Sequence, residues 1–358
     1  MKTLQRYAGE EYSSGIEANE SMPTLSPPET ELGNKEFSAQ ENQVALNWSP
    51  TQSALMEVEI FRRSSDAGAW SNIPKNEFII SLVDRINNPR ALNQMSLNAC
   101  GPASFLLTLA MDDIVKFTKL AINLYRGGVT ELNGMQFQFD PNNALDHYDG
   151  QIRPHDGLRD RRPGDSQWNS PSVNTIVDYI LMASFRSDDT FGADIGEVVT
   201  GGAVTQFEDP GDTWQGATFP ASLQNWFEES GSYQDVVDNT RLIPRNAEHM
   251  EGVLHEEYHK NQYRCHMLIN AHMITVGVGD QPNLRDAKAD HEKPAEWGNY
   301  IQESVANHWI VYQGNLTRSG GNIAFDIWSW GRDMRIELPE SQFNQMYFGA
   351  VCAKPYGV

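Results

Sequence analysis

Three cysteines in 358 residues are too few for a disulfide framework, and an odd count leaves one thiol unpaired in any pairing. The expectation is a reducing setting in which each thiol must be judged separately. Long apolar runs are missing as well, and no stretch approaches the ~18–20 residues needed to span a bilayer. Bases are scarce: 27 Lys and Arg face 48 Asp and Glu, a formal net charge of -21. That balance disfavours a protein that tracks nucleic-acid phosphates or adheres to an anionic membrane surface. The opening stretch MKTLQRYAGEEYSS has no apolar core of a signal peptide, so synthesis in the cytoplasm is expected. What is present is apolar residues at 39%, enough to bury a core. The length allows about two domains, or one large one with insertions.

Residues 1–45 carry eight glutamates, Pro23, Pro27 and Pro28, and isolated apolar residues in no period. Such a composition cannot offset its ordering entropy by burial, and it reads as a flexible acidic leader. From residue 46 to 358 the pattern is globular. A short helix is predicted over 77–87. Ala103, Leu107, Ala110, Ile114, Phe117, Ala121 and Leu124 predict one long helix that stops at Gly127-Gly128. Residues 138–171 read as a loop, and 173–185 and 220–229 as helices around a Gly/Asp-rich stretch. A further helix runs through Met250, Val253, Leu254 and Tyr258. Strands are predicted at 265–270, 274–278, 308–312, 322–328 and 347–353. Helices first and strands later indicate an α+β architecture.

Cys100 falls at the start of the long helix, because Pro102 suits a first turn. A thiol there is biased toward thiolate by the helix dipole and the unpaired N–H groups. Gln94 precedes it, and a side-chain amide together with the Cys100 N–H would make an oxyanion hole. Gly101 leaves room for a substrate carbonyl. The run Gln94-Met-Ser-Leu-Asn-Ala-Cys100-Gly-Pro-Ala-Ser104 resembles the signature of the papain-like cysteine peptidases, in particular the bacteriocin-processing branch. The resemblance implies Cys100 as nucleophile, Gln94 as oxyanion donor, and a central helix packed on a C-terminal antiparallel sheet. It also implies a histidine opening a strand and an Asp or Asn on the next. His308-Trp-Ile-Val-Tyr and then Asn322 to Ser329 supply that order, with the two strands pairing across Ser319, Gly320 and Gly321. His308 is thus expected as the base and Asp326 as its orienting partner. The Ser329-Trp330-Gly331 segment is similar to the one following the orienting Asn of papain, a register that puts Trp328 at the Asn position. Gly101, Trp309, Trp328 and Trp330 are expected to line or shield the site. Residues 126–261 have no counterpart in the family and read as a large insertion.

Two other histidine patterns compete. Ala271-His272-Met-Ile-Thr-Val also resembles a papain-type histidine strand, although no acidic strand follows in the family's order. His255-Glu256-Glu257-Tyr258-His259 is a literal H-E-x-x-H, which on a zinc-hydrolase helix supplies two ligands and a base. The stripe of Met250, Val253, Leu254 and Tyr258 accounts for the packed side, so both histidines are expected toward solvent; His291, Glu292 and Glu296 are unpatterned candidates for a third ligand. Cys265 and Cys352, in apolar strands, are expected as core filler.

The function expected is a thiol hydrolase of peptide or isopeptide bonds that needs no cofactor. The alternatives are a zinc metallohydrolase on His255, Glu256 and His259, or a non-catalytic binding protein on a papain-like scaffold. A protein or peptide substrate is expected, with an inhibitor, immunity or chaperone protein as a further type of partner. The acidic leader and large insert resemble bacterial effector or toxin proteases delivered by a specialised secretion system.

Overall fold

A computed structural model of the chain describes residues 48–70, 73–94, 99–127, 129–132, 135–138, 175–189, 218–278 and 306–358. The leader at 1–45, the predicted loop at 138–171 from residue 139 on, most of the Gly/Asp-rich stretch, and His291, Glu292 and Glu296 lie outside the described residues. The helices are α1 (Pro50–Arg63), α2 (Lys75–Asn87), α3 (Cys100–Asp112), α4 (Ile114–Gly127), α5 (Thr175–Asp189) and α6 (Pro220–Ser230). A small hairpin, β1 (Val129–Leu132) and β2 (Met135–Gln138), follows α4. The remaining strands are β3 (Tyr233–Asp238), β4 (Arg264–Ile269), β5 (His308–Ser319), β6 (Asn322–Ser329), β7 (Arg332–Pro339) and β8 (Tyr347–Pro355). Between them come α7 (Ala247–His249), which continues as a π-helix over Met250–Tyr258, then α8 (His272–Gly277) and α9 (Glu340–Met346). The fold is α+β.

Local chemistry explains several boundaries. Ser49 and Gln52 form a reciprocal capping box ahead of Pro50, which starts α1. The single helix predicted over 103–124 is two helices. Asp113 leaves helical geometry and its carboxylate accepts the Lys116 N–H, ending α3 and capping α4. The apolar period runs through this break, so periodicity did not reveal it. Ile274–Val278, read as a strand, belongs to α8, whose start is fixed by the Asn270 side chain accepting the His272 N–H. A short apolar run fits either period, and the cap decides.

The six-stranded sheet is antiparallel with order β3-β8-β4-β5-β6-β7. Alternation along the strands sends Leu268, Trp309, Val311, Trp328 and Val351 to one core, shared with α1 to α6. Met267, Ile269, Ile310, Phe325 and Ile327 go to a second core under α7, α8 and α9. The sheet is therefore covered on both faces. α3 is buried from Cys100 through Ala110. The helices of the region read as an insertion belong to this core: Phe105 of α3 packs among Phe185 of α5 and Trp226 and Phe227 of α6. β3 likewise completes one edge of the sheet.

Candidate active site

Cys100 is the first residue of α3 and is 7% exposed. Ala99, at the cap position, makes no side-chain cap hydrogen bond, and the dipole of a helix N-terminus favours a negative charge there. Gly101 does not leave an open space. A Cβ there would overlap the Thr218 side chain, which already fills the position expected to admit a substrate carbonyl. Thr218 also accepts, through its carbonyl, a 2.8 Å hydrogen bond from the Trp309 indole N–H. Trp309 is thus an anchor between β5 and the turn before α6, buried rather than lining a cleft.

His308 opens β5 and is 5% exposed. Its Nε2 and the Ser329 Oγ are hydrogen-bonded at 2.9 Å. The Trp330 ring stacks on the imidazole, with centroids 4.6 Å apart and an interplanar angle of 21°. Trp330 reaches this position in a left-handed conformation (φ 49), rare for a bulky residue, as part of the tight turn Ser329–Arg332. The same turn docks on the segment that leads to Gln94: a Cβ on Gly331 would sit 3.3 Å from Asn93 Cβ and Leu92 O, and Trp328 donates its indole N–H to the Arg90 carbonyl at 3.0 Å. Arg90 in turn forms an ion pair with Asp333. Gln94 is buried at 7% exposure.

That segment is held from below by a fully buried ion pair. Arg85 of α2 donates to both oxygens of Asp178 of α5, at 2.8 and 2.6 Å, and Asp178 also accepts the Asn93 backbone N–H at 3.0 Å. Burial pushes the Asp178 carboxyl up from its ordinary value, and the Arg85 guanidinium opposes that shift. Neither residue was singled out from the sequence. A charged pair separated by ninety-odd positions on two amphipathic helices carries no local pattern.

Asp326 is not part of this arrangement. It lies opposite Gly314 in the β5–β6 ladder, six residues along β5 from His308, and its carboxylate binds Arg335 at 2.9 Å and Asn315. The Ser319–Asn322 turn fixes the register: Asp326 is four residues beyond the turn, whereas His308 is eleven before it. Two irregularities in the ladder shift the pairing further, to Val311 opposite Trp328, which carries Ser329 to the imidazole. The side chain hydrogen-bonded to the His308 Nε2 is thus Ser329, whereas Asp326 binds Arg335 and Asn315. The Ser-Trp-Gly segment was the available signal, displaced by one residue. His272 is exposed at the start of α8, and the Ala271 N–H before it is held by the side chain of Asn307, the neighbour of His308.

His255 and His259 are not directed to solvent as expected. His255, in the π-helix, and His259, in the 3-10 turn that follows it, stack with rings 5.6 Å apart, and Tyr312 of β5 lies against both, its hydroxyl 2.7 Å from His255 Nδ1. Burial lowers both imidazole pKa values. Glu256 points away and pairs with Lys260 at 2.7 Å. Among the described residues no three His, Cys, Asp or Glu side chains converge as a metal site. Cys265 and Cys352 are buried, unbridged and opposite one another on β4 and β8. Among the described residues no helix is long and apolar enough to cross a membrane.

Comparison of the chain with protein-family models, with curated proteins and with solved structures found no match.

Proposed function

We propose that the chain is a papain-like thiol hydrolase acting on peptide or isopeptide bonds. The observation that carries the reading is the convergence on one turn: Ser329 and Trp330 hold His308, and Gly331 of that turn rests on the Leu92–Asn93 segment next to Gln94. Trp309, the neighbour of His308, ties β5 through Thr218 to the first turn of the Cys100 helix. These contacts link the segments that carry Cys100, His308 and Gln94, and they support a reading in which the three groups act on one carbonyl.

In this reading the Cys100 thiolate adds to the substrate carbonyl carbon. The oxyanion so formed is met by the Gln94 amide and the Cys100 N–H. With Nε2 given to Ser329, proton exchange with the thiol falls to His308 Nδ1, and Nε2–H donates to the Ser329 hydroxyl. The imidazolium returns its proton to the leaving amine as the C–N bond breaks. Water, deprotonated by the same imidazole, then cleaves the thioester and restores the thiol. Trp330 shields the imidazole from water. A neutral hydroxyl orients the ring without the charge a carboxylate would supply, so the triad is Cys100-His308-Ser329. The test is hydrolysis of a fluorogenic peptide library by the wild type and by Cys100→Ala and His308→Ala. Activity in the wild type alone supports the proposal, and activity that survives Cys100→Ala sinks it.

A further inference from the structure

The Arg241–Asn246 loop combines features that no part of the thiol site explains. Leu242 and Ile243 are 90% and 75% exposed, the most exposed large apolar side chains among the described residues. Arg241 and Arg245 flank them, and with His249 the loop bounds an open cleft of about 650 Å³. In a chain so rich in acids, Arg85, Arg90, Arg126, Arg264, Arg318 and Arg335 each hold a carboxylate. Arg241 and Arg245 meet none among the described residues. The Arg245 Nε is moreover buried with no hydrogen-bond partner there, and burial and the neighbouring Arg241 lower its pKa. The same two arginines, with burial, hold His249 at about 4, so the positive charge of the cleft sits on the guanidinium groups. Two cations that hold no carboxylate among the described residues, with Asp238 acting on Arg245 only at longer range, lie beside two bare aliphatic side chains and form a surface short of an anion and an apolar cover.

We infer that this loop docks an acidic segment of the protein substrate, a carboxylate lying between Arg241 and Arg245 and an apolar side chain of the same segment on Leu242 and Ile243. What is then done to that segment rests on the thiol-hydrolase reading. A flat anionic membrane is disfavoured, since the exposed Glu248 and Glu251 on the adjoining helix and a net charge of -21 would be brought against it. The position suits a substrate. Arg245 donates its N–H to the Tyr347 carbonyl, Tyr347 pairs with Ile269, and Ile269 pairs with His308. Three strand spacings separate loop and base, about 14 Å, which an extended peptide covers in about four residues.

The experiment uses the full chain carrying Cys100→Ala and a fluorescein-labelled decapeptide with two glutamates flanking a leucine, read by anisotropy. Binding is expected, weakened at least ~10-fold between about 50 and about 500 mM salt, and weakened at least ~10-fold by Arg241→Glu with Leu242→Ser. Both are exposed positions, so the variant keeps its fold even where Arg245→Glu does not. A lysine-for-glutamate peptide is expected not to bind. Equal binding of the lysine peptide, or affinity untouched by the double substitution, overturns the inference. Binding by the Cys100→Ala chain with no hydrolysis of any peptide by the wild type leaves the docking site standing and removes the hydrolase reading.

Discussion

The His308 Nε2 lies 2.9 Å from the Ser329 Oγ, and in the proposed mechanism that contact gives a hydroxyl the orienting role. Ser329→Ala is expected to remove a hydrogen bond of about 0.5–1.5 kcal/mol, a ~2–10-fold loss in kcat with the fold intact. Ser329→Thr is expected to restore it. Asp326→Ala is expected to leave kcat unchanged and to cost only the half-exposed pair with Arg335. A larger loss of kcat in Asp326→Ala than in Ser329→Ala would reverse the assignment.

Asp178 links the buried Arg85 guanidinium to the backbone N–H of Asn93. Asp178→Ala removes the bidentate partner of a buried cation, which keeps Asp84 at 3.4 Å, and is expected to cost about 3–5 kcal/mol, measurable by urea unfolding. Replacing both partners, Arg85→Met with Asp178→Leu, is expected to recover most of that stability. It does not restore the anchor on the Gln94 segment, so kcat/KM stays low. Full recovery of kcat/KM in the double variant would show that the pair serves stability alone.

Gly101 and Thr218 occupy one space. Gly101→Ala is expected to destabilise by about 1–3 kcal/mol through overpacking, since the clash is with a buried side chain on both sides. Adding Thr218→Gly relieves it. Calorimetric melts of the two single variants and the double variant test the coupling, and simple additivity would contradict it.

His266 is fully buried between Thr108 and Phe227, and burial holds its pKa at about 3 against an ordinary 6.5. The folded protein keeps the ring neutral while the unfolded chain binds a proton. Stability is therefore complete above about pH 6.5 and is lost as the pH falls toward 3. His249, held at about 4, acts in the same direction. The urea midpoint is expected to fall by the equivalent of a few kcal/mol between about pH 7 and about pH 4. His266→Gln flattens that dependence; an equally steep profile in the variant would place the acid sensitivity elsewhere.

The sequence was informative where chemistry is local. Cys100 at a helix start follows from Pro102 and the apolar period, and the β5–β6 hairpin follows from Gly320-Gly321 between alternating strands. Counting residues from that turn would have separated Asp326 from His308, because a hairpin turn fixes register whatever the side chains suggest. Other features needed the fold. The Arg85–Asp178 pair, the filling of the Gly101 space by Thr218, and the packing of Tyr312 against His255 and His259 are contacts between distant segments. Nothing in the spacing of those residues encodes them. The break at Asp113 was hidden for a different reason, as the apolar stripe continues unbroken across it.

The central claim is that Cys100 is a reactive nucleophile activated by His308, while Cys265 and Cys352 are inert core residues. It is tested most directly by labelling the folded chain with a substoichiometric electrophilic peptide probe at neutral pH, followed by peptide mass mapping. The result expected is modification at Cys100 alone, slowed at least ~100-fold in His308→Ala and abolished in Cys100→Ala. Labelling confined to Cys265 or Cys352, or labelling of Cys100 at a rate unaffected by His308→Ala, would contradict the account.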